Sequence, residues 1–184
     1  MTSIEFYKLR SFLLFFIFLS VAPGSFAQDA KETQYKPDSL IAAAREIISL
    51  QKYCALATID STDRPNVRTM NPFPPENDMT IWIATNSRSR KANDIRHNPA
   101  VCVYYADHSR ATGYVSIRGK AYLVDDMQEK LKRKREYWTQ AFPDWKFLVL
   151  IKVVPEKIEV INYRRGIVGD SDTWKVPTVE FHSH

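Results

Sequence analysis

From Gly113 to Val124 apolar and polar side chains alternate along the whole run. Val115, Ile117, Gly119, Ala121 and Leu123 fall on one side, and Tyr114, Ser116, Arg118, Lys120 and Tyr122 on the other. A period of two residues belongs to a strand with one buried and one partly solvated face. Shorter runs repeat the pattern. Tyr53–Asp60, Asn66–Phe73, Met79–Thr85, Ala100–Ala106, Phe147–Val154 and Lys157–Tyr163 all read as strands. Turn residues separate them, at Ser61–Pro65 and again at Pro74–Asp78. Consecutive strands joined this closely pair antiparallel, and a series of them tends to close on itself and so remove exposed edges.

Helices are expected at three places. Pro37-Asp38-Ser39 opens the first, where Leu40, Ile41, Ala44, Ile47 and Ile48 recur at helical spacing. Ser87–Asn98 is a short polar one with Ala92 and Ile95 facing inward, ended by Pro99. Asp125-Asp126 caps a third that runs to about Gln140, and its basic run Lys130–Arg135 reads as a solvated face. The result is an α+β fold: a mainly antiparallel β-barrel of six to seven strands with two to three flanking helices.

The N-terminus is organised differently. Lys8 and Arg10 precede the apolar stretch Ser11–Ala22. Pro23-Gly24 then breaks it, and Ser25-Phe26-Ala27 sets small residues where a signal peptidase cuts. The stretch is shorter than the roughly 20 residues that span a bilayer comfortably. Residues 1–27 are therefore expected to be a cleaved signal peptide, with an uncleaved anchor as the alternative. The mature chain would then be exported, to the periplasm, with no stable membrane insertion. Residues 28–36 are expected to be a flexible mature N-terminus, residues 37–165 the barrel domain and residues 166–184 a C-terminal tail. The net charge of +5 is a mild excess. It suits a phosphate-bearing ligand and falls short of the basic stripe that nucleic-acid binding requires. Cys54 and Cys102 permit a disulfide in an exported protein, but both lie in apolar strand-like runs that equally suit buried thiols.

Two stretches carry candidate chemistry. Thr85-Asn86-Ser87-Arg88-Ser89-Arg90-Lys91 lies where a strand gives way to a helix. Free N–H groups at a helix start favour an anion, and Arg and Lys grip phosphate through charge-assisted bonds. The plainer alternative is a soluble, Arg-rich helix start. In the second stretch, Arg68 interrupts the strand Asn66–Phe73. An Arg there needs a compensating anion unless it points outward into solvent. His97, at a helix end, has an ordinary structural place. His182 and His184 are weak evidence for a metal. Trp174 suits either a surface anchor for the tail or a stacking partner for a ring.

The order Arg64-Pro65-x-Val67-Arg68-Thr69-Met70, then Ile81-Trp82-Ile83-Ala84-Thr85-Asn86-x-x-Ser89-Arg90-Lys91, then Asn98-Pro99 and a strand containing Gly119-Lys120-Ala121, resembles the pyridoxamine 5'-phosphate oxidase-like family. Within it, the general stress protein branch is the nearer likeness, over about residues 38–163. The resemblance implies a homodimeric split barrel that binds FMN at the subunit interface and a flavin-dependent oxidoreductase acting on a small substrate. It implies that Arg90 and Lys91 meet the FMN phosphate with Arg68 nearby, and that Thr85 and Asn86 line the phosphate and ribityl region; Ser89, in the same turn, is expected among the cofactor-binding residues. It places the backbone of Arg68-Thr69-Met70 at the flavin edge, and Tyr114 where the oxidase has a glutamine. Phe73 stands about where the oxidase carries a lysine, and the tail lacks the oxidase's Arg- and His-bearing substrate segment. Pyridoxamine phosphate oxidation itself is therefore not expected. A non-catalytic carrier or sensor of flavin, haem or deazaflavin on the same barrel is the alternative function, and export would require FMN to be acquired outside the cytoplasm.

Overall fold

The computed structural model describes residues 35–181. Helix α1 (Pro37–Ser49) starts with Pro at its first position, where no N–H bond is lost, and turns Leu40, Ala43, Ala44, Ile47 and Ile48 inward. The strands are β1 (Cys54–Ile59), β2 (Pro65–Met70), β3 (Ile81–Asn86), β4 (Ala100–Ala106), β5 (Gly113–Val124), β6 (Leu148–Asn162) and β7 (Thr178–Glu180). The remaining helices are α2 (Arg90–His97), α3 (Met127–Lys132) and α4 (Trp138–Ala141). The strands pair antiparallel in the order β2-β1-β4-β5-β6-β3, with β7 beside β6. An isolated bridge between Pro72 and Ile83 joins the two ends of this order into a barrel, through the Phe73 N–H bond to the Trp82 carbonyl at 2.8 Å.

Alternation decides the barrel's filling. Leu56, Val103, Val115, Ile117, Ile151, Val153, Ile158 and Val160 point inward and pack against the apolar face of α1. A second apolar cluster lies outside the β3–β6 wall. There Trp82, Trp138, Leu148 and Leu150 meet Phe73, Phe142 and Trp145.

Several expectations change here. The strands anticipated at Phe147–Val154 and Lys157–Tyr163 are one strand, β6, running through Pro155. Pro155 is tolerated because the β5–β6 register shifts between Arg118 and Gly119, and the missing N–H falls at that irregularity. A Cβ on Gly119 would sit 2.0 Å from the Val154 carbonyl oxygen, so only glycine lets the two backbones close. Strand β2 ends at Met70 instead of Phe73, and its hairpin partner is β1, not β3. Prolines 72, 74 and 75 remove the donors a longer β2–β3 ladder would need.

The helix expected from Asp126 to Gln140 breaks into α3 and α4, and its basic run is solvated only in part: Lys132 and Lys134 are exposed, whereas Lys130 and Arg133 are buried. The Arg133 side chain is 7% exposed, pairs with Glu76 and Glu129, and lies 3.9 Å from the Trp82 ring centre. Lys130 is buried against Asp125. Arg135 turns the other way, onto the Asn71 and Pro72 carbonyls. Trp174 does not anchor the tail: it is 83% exposed and held at φ 58°. Cys54 and Cys102 are both free, Cys54 inside the barrel and Cys102 on its outer face. They point to opposite sides and form no bridge. The signal segment, most of the mature N-terminus, His182 and His184 lie outside the described residues.

Candidate functional site

Where β3 meets α2, side chains of both elements converge. Asn86 accepts a bond from the Arg88 N–H at 2.8 Å and shapes the turn. Ser89 is the N-cap of α2 and accepts from the Ala92 N–H at 3.4 Å. Thr85, buried at the end of β3, has its hydroxyl 3.4 Å from the Ser89 hydroxyl and accepts a bond from the Lys91 ammonium at 3.2 Å. Arg90, the first helical residue, projects outward and makes no hydrogen bond or ion pair among the described residues.

Arg68 reaches this group from β2, but it already has an anion. Its guanidinium lies 3.3 Å from the Asp94 carboxylate of α2 and donates to the Thr58 hydroxyl at 2.6 Å. Thr58 in turn donates to Asp94 at 2.5 Å. The Arg68 side chain is 20% exposed and that of Asp94 8% exposed, so the three groups form a closed, largely desolvated network. Arg68 therefore faces the barrel interior with Leu56, whose carbonyl it also contacts at 3.3 Å, and not solvent. Thr58 and Asp94 are the members of this site that sequence reading missed. The available signal was a threonine at an inward position of β1 and an acid on the same helix turn as Ala92 and Ile95.

Neutralising Arg68 leaves Arg90 and Lys91 without a counter-ion. Desolvation pushes the Lys91 ammonium below its ordinary pKa of 10.5; the positive charges of Arg68 and Arg90 push it further the same way, and only Asp94 opposes them. A lysine held this way gains from a nearby negative charge. Two hydroxyls, an ammonium and a guanidinium at a helix start can together hold a phosphate monoester, and the residues present fit that group.

The other predicted residues lie elsewhere. Thr69 is on the outer face of β2, and Met70 packs against the barrel core. Tyr114 sits on the outer face of β5, three strands from β2, which is roughly 14 Å along a sheet. Its ring lies 5.5 Å from that of Tyr104, and desolvation, followed by Glu159, raises its pKa. No recorded contact joins it to Lys91. Among the described residues no helix covers the outer face of β2-β1-β4-β5: Val67 is 67% exposed, and Ala55, Ala57 and Tyr104 are half-buried beside it. Among the described residues no group of His, Cys, Asp and Glu is arranged to hold a metal.

Comparison with known proteins bears on the family and the fold. The pyridoxamine 5'-phosphate oxidase family model matches residues 40–162. No curated protein matches the chain in sequence. Solved structures do. General stress protein 26 from Bacillus anthracis str. Sterne is 27% identical, with 65% of this chain and 92% of that one covered and a TM-score of 0.57. A Clostridium acetobutylicum protein related to general stress protein 26 of B. subtilis is 16% identical, with 79% and 96% covered and a TM-score of 0.63. A pyridoxamine 5'-phosphate oxidase-related, FMN binding protein from Nostoc punctiforme is 16% identical, with 82% and 100% covered and a TM-score of 0.53. The last two share the fold.

Proposed function

The chain belongs to the pyridoxamine 5'-phosphate oxidase family, and from that premise we propose that it is an FMN-binding flavoprotein, an oxidoreductase acting on a small substrate. The observation that carries this reading is the unneutralised pair Arg90 and Lys91 at the start of α2, with the Lys91 ammonium destabilised by its surroundings. A phosphate there relieves the repulsion and accepts bonds from Arg90, Lys91, Ser89 and Thr85. Arg68 stays bonded to Asp94 and adds its field from beneath.

When bound, FMN supplies the hydride or electron transfer, and the chain supplies position. The backbone of Arg68-Thr69-Met70 offers hydrogen-bonding groups to the flavin edge. The uncovered outer face around Val67, Ala55 and Ala57 takes a second copy of the chain, so that FMN lies between subunits. Tyr114, distant from the cradle within one subunit, contributes from its own face of the sheet. In this reading no side chain of the cradle need act as an obligatory acid or base. Secretion by a cleaved signal and function in the periplasm belong to the same proposal.

The test is titration of the purified protein with FMN and with riboflavin, which lacks the phosphate. FMN fluorescence is expected to be quenched and the melting temperature to rise, with riboflavin at least about 100-fold weaker, as two charge-assisted bonds imply. Reduction of the bound flavin by NADH or NADPH then distinguishes an oxidoreductase from a carrier. If neither flavin alters the melt or the fluorescence, the reading fails.

A further inference from the structure

A second cationic recess shares no lining residue with the phosphate cradle. It is a cleft of about 520 Å³ between the C-terminal end of α1, the Asn71–Pro75 segment and Arg135. Arg45, Lys52 and Arg135 line it, and no acidic side chain among the described residues does. Arg45 donates to the carbonyls of Pro75, Glu76 and Asn77 at 3.3, 2.6 and 3.1 Å. Arg135 donates to those of Asn71 and Pro72 at 3.3 and 2.6 Å and lies 4.0 Å from the Phe73 ring centre. Carbonyl oxygens fix the two guanidinium groups in place but do not neutralise them. Several arginines elsewhere have carboxylates, such as Arg118 with Glu159 and Arg165 with Glu46, whereas none of these three cations has an ion pair among the described residues.

The rest of the wall is apolar. Phe73 and the neighbouring prolines form one side and Tyr105 part of the other. Tyr105 is 1% exposed, and its hydroxyl lies beside the Cys54 thiol in the barrel core. Held cations without carboxylate partners against an apolar wall describe a binding site for an organic anion.

We propose that this cleft binds a small organic anion: a carboxylate or phosphate monoester head on a flat apolar body. The head meets Lys52 and the free N–H edges of Arg45 and Arg135, and the body packs on Phe73 and the prolines. Neutral analogues lose the charge-assisted bonds, and cations are repelled. The inference goes beyond the flavoprotein reading and does not rest on it.

Calorimetric titration of the purified protein with benzoate, phenyl phosphate and the neutral isostere benzamide tests it. At least one anion is expected to bind ten times more tightly than benzamide, and the tighter of the two identifies the head group. Lys52→Gln, at an exposed position without an ion pair, should weaken that anion at least threefold with an unchanged melting temperature. Arg90→Ala with Lys91→Ala should leave it within twofold. Equal binding of benzamide and both anions, no binding at millimolar concentration, or loss in the Arg90/Lys91 variant with Lys52→Gln unaffected overturns the proposal. None of these outcomes depends on whether FMN binds.

Discussion

Arg68 and the pair Arg90/Lys91 are all basic and all within one site, yet the structure assigns them opposite sensitivities. Arg68→Ala strips Asp94, whose side chain is 8% exposed, of its counter-ion and leaves Thr58 as its remaining partner. Removing one member of a buried pair costs roughly 3–5 kcal/mol. Arg68 is 20% exposed, so water can partly replace it, and about 2–3 kcal/mol is the expected loss. For a chain of this size that lowers the melting temperature by roughly 5–10 °C. Arg90→Ala with Lys91→Ala removes two like charges that repel each other, and only the Lys91–Thr85 bond is given up. Stability should change by no more than about 0.5 kcal/mol. The same double variant removes two charge-assisted phosphate bonds of roughly 1.5–3 kcal/mol each, a loss of about 10²- to 10⁴-fold in FMN affinity. Riboflavin affinity should be untouched, so the gap between the two flavins closes. Fluorescence titration and thermal melts of the three proteins measure all of this. A double variant that melts more than 5 °C lower, or that loses less than about tenfold in FMN affinity, refutes the reasoning.

Four further outcomes follow from the same geometry. The Lys91 ammonium, followed by NMR of labelled lysine, should titrate below 10.5 in the free protein and move upward when inorganic phosphate is added. Its depressed value means the unfolded chain holds that proton to higher pH. This group's contribution therefore makes the free protein more stable as pH rises through the interval up to 10.5, while phosphate binding weakens over the upper part of it. Gly119→Ala should cost at least about 3 kcal/mol in denaturant unfolding, because a Cβ there meets the Val154 carbonyl at 2.0 Å. Arg133→Ala should cost about 2–3 kcal/mol, since the ring contact with Trp82 and the pairs with Glu76 and Glu129 go together. A thiol reagent at pH 8 should label Cys102 and spare Cys54 in the folded protein, because burial pushes the Cys54 thiol up to about 12. Equal labelling of both would contradict the inward orientation of Cys54.

What was legible in the sequence was what period and punctuation encode. Strand β5 announces itself because its inward residues Val115, Ile117 and Ala121 are apolar and its outward ones Arg118 and Lys120 are charged. Pro155 misled in the opposite direction. A proline usually ends an interior strand, and nothing local reveals that Gly119, far along the chain, supplies the irregularity that accommodates it. Helix α3 stops at Lys132, and Arg133 just beyond it meets Trp82 and Glu76, partners that a helical pattern cannot show. Strand β7, Thr178–Glu180, is too short to carry a period at all. The site divides in the same way. Thr85, Ser89, Arg90 and Lys91 are neighbours in the chain and could be grouped by reading along it. Asp94 could be joined to Arg68 only once β2 and α2 had been brought together in space.

The barrel's ring of strands is completed by one rung, the bridge at Pro72 and Ile83. Everywhere else the wall is laced by ladders of several bonds, so its mechanical compliance is concentrated at this place. The segment that would yield first, Asn71–Pro75, continues the strand bearing Arg68 and also borders the cleft beside Arg135. A molecule entering there would bend a hinge of three prolines without disturbing the packed interior. Amide exchange at Phe73 should therefore register its arrival well before any protection changes in β4 or β5.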